Sequence, residues 1–334
     1  MKIIKIKMLK TLLTVVLISS ASAVATSASA ATKNIYGKRA DVKQFIDEMV
    51  NKHDYDRAYL ESRFASAKKL DNILESIAKP AEKELTWKQY RPIFVTDNRS
   101  SKGKKFLKEH RELLNRAEKK YGVPAEIITA IIGVETYYGK HTGKYTIFDS
   151  LTTLAFDYPP RSKFFKSELK HFLLLSKEEN ISVDDMTGSY AGAMGMPQFI
   201  SSSYREYAVD FDGDGKRDLW NSLPDVIGSV ANYFSVHGWQ KAGDVTFEAK
   251  VKDTSIIKKK NALKPYVKVS QLKKQGVTIA ADLNDDEDVT LLEFDGKKGI
   301  EHWVGLKNFY VITRYNHSAM YAMAVYQLSE KLEQ

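Results

Sequence analysis

"AIIGVETYYG", Ala130 to Gly139, sets one carboxylate, Glu135, inside a run whose other members read as buried helix. Tyr121-Gly122-Val123-Pro124 precedes it, with proline suited to a first helical turn, and Gly139 is a natural stop. The spacing predicts a helix from about Pro124 to Tyr138. At about 100° per residue, Glu135 falls roughly 20° from Ile128, 40° from Ile131, 60° from Ile132 and 80° from Ile127, on the one face they define. A carboxylate turned inward loses hydration, which raises its pKa unless a cation or several donors compensate. A proton donor usable near neutral pH is the result. Taken alone, the helix also admits a structural glutamate tied to neighbouring backbone amides.

A second cluster lies in "DFDGDGKRDLWNSLPD", Asp210 to Asp225. Asp210, Asp212, Asp214 and Asp218 stand at positions 1, 3, 5 and 9 of a calcium loop, with Gly215 at position 6 and the Lys216 carbonyl at position 7. Alternate residues of a tight turn direct oxygens at one hard cation, and the glycine permits the turn. Asn221 replaces the usual glutamate at position 12, so Asp225, in the first turn of the next helix, is the candidate to close a longer loop. A single loop predicts a structural ion instead of a sensor. The competing reading is a solvated acidic turn without metal.

Just before it, "GSYAGAMGMPQFISSSY", Gly188 to Tyr204, combines glycines, small residues, Pro197 and the Gln198 amide. Backbone can approach a ligand closely here, although phosphate-cradling patterns are absent. A bound calcium would hold the segment rigid. The chain has 18 tyrosines, and Tyr137, Tyr138, Tyr190, Tyr233, Tyr315 and Tyr321 lie near these stretches. An apolar face with a hydroxyl suits sugar rings, while most tyrosines serve the core.

The elements that must position these groups are mostly helical. Val42, Phe45, Ile46, Met49 and Val50 recur at helical spacing, as do Phe106, Leu107, His110, Leu113 and Leu114 before Gly122. Arg161 to Lys177 carries Phe164, Phe165, Leu169, Phe172 and Leu173, an aromatic stripe that reads as core. From Asp244 to about Gly305, short alternating stretches such as "VTFEAKV" and "DVTLLEF" predict a small β subdomain. Helical spacing resumes in "ITRYNHSAMYAMAVYQL", so the β part is an insertion and the last helix returns to the body.

With 334 residues, 43% hydrophobic and 28% charged, the chain can bury a sizeable core. Its net charge of +9 favours an anionic partner: nucleic acid, an acidic membrane surface or an acidic polysaccharide. No Walker loop, zinc spacing, RNA-binding signature or arginine tract is present, which argues against nucleic acid. Lys2, Lys5, Lys7 and Lys10 precede an apolar stretch, Leu12 to Ile18, and small residues ending in Ala28-Ser29-Ala30. That is the pattern of a secretory signal peptide over residues 1–30. Without cysteine, neither disulfides nor a lipid-modified N-terminal cysteine is expected, and the exported chain should be soluble and free.

"GVETYYGKHTGKYTIFDSLTTLAFDYPPRSKFF", "GSYAGAMGMPQFISSSYREYAVDFDGDGKRDLW", "IGSVANYFSVHGW" and "FYVITRYNHSAMYAMAV" together closely resemble the lytic murein transglycosylase B family, over about Lys105 to Leu328. The resemblance implies a mainly α (α+β) protein with a goose-lysozyme-like helical core. Its parts would be an N-terminal α subdomain (31–104), the catalytic core (105–243), a β insertion (244–307) and a C-terminal helix returning to the core (308–334). It implies cleavage of peptidoglycan between N-acetylmuramic acid and N-acetylglucosamine, with Glu135 as the acid. Ser189, Gln198, Tyr233, Tyr315, Asn316 and Tyr321 fall on positions lining the glycan cleft, and Asp210, Asp212, Asp214 and Asp225 on calcium ligands. Arg161 matches a basic residue near the cleft. The position before it, basic in many relatives, is Pro160 here.

The mechanism implied uses one carboxyl group, which protonates the glycosidic oxygen and then deprotonates the muramic acid 6-hydroxyl, giving a 1,6-anhydro end. Calcium is the expected structural ion, with no organic cofactor. Glycan strands are the expected partner, cell-wall synthesis proteins are further candidates, and a monomer in the periplasm is the expected state. A hydrolytic muramidase on the same core and a non-catalytic, calcium-stabilised wall-binding module are the alternatives.

Overall fold

The computed structural model describes residues 35–78, 85–257 and 262–333. The expected signal segment, residues 1–30, lies outside the described residues. Among the described residues, fourteen α-helices and seven short strands make the protein mainly α with a small antiparallel β part.

The N-terminal helix Ala40–His53 buries Val42, Phe45, Ile46 and Met49, the expected stripe. Phe45 meets Phe64 of helix Arg57–Ser66 edge-on at 5.8 Å and Phe156 of helix Ile147–Asp157 at 6.0 Å. The fully buried Tyr36 donates its hydroxyl to Asp157 at 2.6 Å, so the N-terminal helices close onto the body of the protein. The stretch from Phe106 to Leu114 differs from a single helical run. Helices Asp97–Glu109 and Arg111–Tyr121 meet at His110, whose φ of −118° and ψ of 21° interrupt the helix.

At the centre is helix Ala125–Thr136, which packs against the C-terminal helix Ala319–Glu333 and against Asp97–Glu109, Arg111–Tyr121 and Leu223–Val236. All its residues are buried except its two carboxylates, Glu126 and Glu135. The helix stops two residues earlier than its spacing predicts. Tyr137 and Tyr138 adopt φ of 54° and 60° ahead of Gly139 at 82°, a left-handed run that is costly for bulky side chains. Glycines accommodate it: a Cβ on Gly133 would stand 2.7 Å from the Tyr138 ring, and one on Gly103 2.3 Å from its hydroxyl. That hydroxyl donates to the Arg99 carbonyl at 2.9 Å.

Strands β1 (Tyr145–Thr146) and β2 (Thr187–Gly188) form a two-residue ladder beside helix Ile147–Asp157, against which packs helix Ser162–Glu179, with Phe165, Leu169, Phe172 and Leu173 buried. The five-stranded sheet comprises β3 (Thr246–Lys250), β4 (Val267–Lys268), β5 (Thr278–Ile279), β6 (Asp288–Gly296) and β7 (Gly299–Gly305), in the order β4-β6-β7-β3-β5 with every pair antiparallel. Alternation along β6 splits its side chains between two cores. Val289 and Leu291 join a small core with Val269, Leu272 and Val304, whereas Leu292 and Phe294 enter the main one, where Phe294 meets Trp87 at 5.2 Å. Helix Lys307–Tyr315 leaves β7 and leads into Ala319–Glu333.

Candidate active site

Glu135 occupies the last turn of its helix, half-buried, where the apolar face reaches the surface of the core. Its Oε1 accepts a 2.5 Å hydrogen bond from the hydroxyl of Tyr321, a residue 2% exposed on the C-terminal helix. The Tyr321 ring lies nearly parallel to that of Tyr315, at 6.5 Å and 8°. Tyr315 donates to the Pro197 carbonyl at 2.6 Å and packs against Tyr233 at 4.9 Å, and Tyr233 donates to the Arg314 carbonyl at 2.6 Å. Burial pushes the Tyr315 and Tyr321 hydroxyls well above 10.0, and the negative charge of Glu135 pushes in the same direction. Both remain neutral donors over the whole physiological range.

Thr136, which the sequence reasoning passed over, fixes the opposite wall. Its hydroxyl donates to the Met196 carbonyl at 2.9 Å and accepts from the Gly139 amide at 3.1 Å. Its signal was a hydroxyl directly after Glu135 at a helix end, where such side chains bond nearby backbone. In the adjoining wall, Gln198 takes φ of 54°, and its Nε2 donates to the carbonyls of Thr142 at 3.0 Å and Gly195 at 2.9 Å. Ser189 closes a turn on itself: its Oγ accepts from the Ala193 amide at 3.0 Å. Asn316 follows Tyr315 in extended conformation, and its carbonyl accepts from the Ser318 amide at 2.7 Å. Glu135, Tyr321, Tyr315 and Tyr233 are thus joined through shared contacts, and Tyr315 reaches the carbonyl of Pro197, the residue before Gln198. Arg161 stands apart, exposed on a 3-10 turn with its guanidinium 4.2 Å over Phe164.

The acidic loop is built as a turn around Asp210, whose carboxylate accepts from the amides of Gly213 at 2.6 Å, Asp214 at 3.2 Å and Gly215 at 2.8 Å. Those bonds, Gly215 first, hold Asp210 below the ordinary carboxylate range. Asp210, Asp212 and Asp214 each offer an oxygen within 4.8 Å of the others. The Lys216 amide donates to Asp214 at 2.9 Å, which continues the turn through position 7. Asp218 is committed elsewhere, accepting from the amides of Trp220 and Asn221, both at 2.9 Å, and from the Asn221 side chain at 3.0 Å. Asp225 is fully buried and ties the two ends of the loop, accepting from the Phe211 amide at 2.7 Å and the Asp218 amide at 2.8 Å. Burial pushes Asp225 up, and the charges of Asp212 and Asp210 add to this. Three converging carboxylates beside a buried fourth are a hard-oxygen donor set that fits calcium.

The loop is fastened to the segment that carries Gln198. The Leu219 carbonyl accepts from the Met196 amide at 2.9 Å, and Trp220 Nε1 donates to the Thr187 carbonyl at 3.0 Å. Gly195, at φ of 65°, permits this approach: a Cβ there would stand 2.3 Å from the Leu219 oxygen. Order in the acidic loop therefore extends to Gln198.

The family model described as the Transglycosylase SLT domain matches residues 37–330. The membrane-bound lytic murein transglycosylase B of Escherichia coli (strain K12) is 43% identical over 304 residues, covering 88% of this chain and 83% of that protein. The catenated lytic transglycosylase SltB1 from Pseudomonas aeruginosa superposes with a TM-score of 0.85 at 49% identity, covering 89% of this chain and 98% of that one. The Escherichia coli lytic transglycosylase Slt35, solved in complex with calcium, superposes with a TM-score of 0.82 at 42% identity, covering 90% and 95%. The match to the family runs from the N-terminal helices through Glu135 to the C-terminal helix that carries Tyr321, and on that ground the chain belongs to the SLT transglycosylase domain family and is a lytic transglycosylase of peptidoglycan.

Proposed function

We propose that Glu135 is the single acid and base of the reaction, and that the product is a 1,6-anhydro-muramic end. The observation that carries this reading is the 2.5 Å bond from the buried Tyr321 hydroxyl to Glu135 Oε1 at the end of an otherwise apolar helix. A buried, neutral donor orients the carboxyl group and stabilises the anion formed once the proton has passed to the glycosidic oxygen. The ionised Glu135 then removes the proton of the muramic 6-hydroxyl. That oxygen closes on the anomeric carbon, with the substrate's own N-acetyl group stabilising the positive charge there. The walls formed by Tyr315, Tyr233, Gln198, Asn316 and Ser189 hold the sugar, and Arg161 meets an acidic group farther along the strand. A tethered hydroxyl held in line has a large effective concentration over water.

Digestion of purified peptidoglycan in oxygen-18 water tests this directly. Mass spectrometry should find muramic ends free of label, and the fragments together should conserve the mass of the substrate. Predominant incorporation of label with a reducing muramic end would make the enzyme a hydrolytic muramidase, and retention of glycan without cleavage would make it a wall-binding module.

One calcium ion held by Asp210, Asp212 and Asp214, with Asp225 and the Lys216 carbonyl closing the site, is part of the same reading. The convergent oxygens support it, and so does the calcium in the related Slt35 structure. An ion bound only by the native state stabilises it by about 2.7 kcal/mol at a hundredfold excess over Kd. Chelation should therefore lower the melting temperature of the wild type and leave an Asp212→Asn, Asp214→Asn double variant unmoved. A chelator response that survives both substitutions would place the ion elsewhere. The basic, apolar and small-residue order of residues 1–30 supports export to the periplasm, where the glycan lies.

A further inference from the structure

The segment Tyr137–Thr142 runs from Glu135 to the carbonyl that Gln198 holds, and it gathers positive charge along the flank of the site. The Lys102 ammonium lies 4.4 Å and the Arg99 guanidinium 5.0 Å over the Tyr137 ring, while His141 stacks on the same ring at 6.1 Å and Lys140 precedes His141 in the chain, its charge acting on the imidazole. None of the three cations forms an ion pair among the described residues. The carboxylates on the same helix are committed elsewhere: Asp97 pairs with Lys331 at 3.0 Å and Glu109 with Lys105 at 3.6 Å. Among the described residues, Arg99 Nη1 donates to the Ile93 carbonyl at 2.5 Å and the buried Nε has no acceptor.

Burial lowers the pKa of Arg99, which nevertheless stays charged. Burial of its ring, with Lys140, Arg99 and Lys102 nearby, holds His141 below its usual range. Cation–π contacts offset part of the desolvation of a guanidinium, but they supply no carboxylate to balance its charge.

We infer that Arg99, Lys102 and Lys140, gathered around Tyr137, form a carboxylate-binding site at the flank of the cleft that takes an acidic group carried by the muramic acid side chain. This rests on the proposal that Glu135 and Gln198 face the glycan. The carboxylate is either the free lactyl group or one belonging to a peptide attached to it. Engaging it would hold the muramic residue in register beside Glu135, with one guanidinium and two ammonium groups around the carboxylate.

The test is equilibrium binding of N-acetylglucosaminyl-N-acetylmuramic acid disaccharides, which contain no muramyl-to-glucosaminyl bond to cleave. Three forms separate the sources: the free lactyl acid, the lactyl carboxamide, and the form bearing a stem peptide. In titration calorimetry at low salt, Arg99→Gln with Lys102→Gln should weaken binding of an acidic form about tenfold and leave the neutral carboxamide unchanged. A response confined to the free acid assigns the lactyl group, and one confined to the peptide form assigns the peptide. Lys102 is exposed, so Lys102→Gln alone should move binding in the same direction without disturbing the fold. Equal weakening of all three forms, no weakening of any, or a wild type that binds neither the free acid nor the peptide form more tightly than the carboxamide would overturn the inference. Because no bond is broken, the result does not depend on the chemistry of Glu135, and failure of either proposal leaves the other readable.

Discussion

Glu135→Gln is expected to lower kcat by about three orders of magnitude, the middle of the range for loss of a positioned acid and base. The amide keeps the size of the side chain, and its oxygen can still accept from Tyr321, so melting temperature and glycan binding should stay near those of the wild type. What disappears is the transferable proton. Cleavage of soluble glycan strands measured by product chromatography, beside a thermal melt, separates the outcomes. Activity within a few-fold of wild type would remove Glu135 from the mechanism. A large drop in melting temperature would instead reveal a structural glutamate.

The second large effect is expected at Asp225, where a stability change propagates to the cleft. Asp225→Ala removes a buried carboxylate that accepts from two backbone amides at opposite ends of the acidic loop. Orphaning two partly buried N–H groups costs about 2–4 kcal/mol, before any loss of a bound ion. Loosening should reach the cleft through Leu219 and Met196, so kcat/KM should fall at temperatures where the protein is still folded. Denaturant unfolding and kinetics on the same preparation test both parts. Unchanged stability would mean that the loop has another tie, and unchanged kinetics in a destabilised variant would deny the coupling between loop and cleft.

The candidate acid and the candidate metal loop could be picked out in the sequence because each rests on a local pattern. Glu135 interrupts an apolar helical face, and the aspartates of the loop alternate around glycines. What was not legible depends on distant partners or on local exceptions. Nothing near position 135 announces a hydroxyl 186 residues away, and Tyr321 reaches it only because two helices pack side by side. The helix ends at Thr136 because two tyrosines accept left-handed backbone that residue preferences argue against, in space left by Gly133 and Gly103. Asp218 matches a ligand position by count, yet its carboxylate caps the turn at Trp220 and Asn221. The β insertion was visible as a change of texture, whereas its attachment through Phe294 and Trp87 was not.

That attachment limits how the enzyme can change over evolutionary time. Because neighbouring side chains of β6 serve different cores, a deletion or insertion of one residue in that strand would exchange their faces and spoil both at once. The β insertion therefore cannot be transplanted or trimmed as a self-contained cassette, although its edge strands β4 and β5, two residues each, can drift in length. Variation among descendants of this chain should collect at those margins and in the loops joining them, and β6 should admit exchanges of residue type but no change in length.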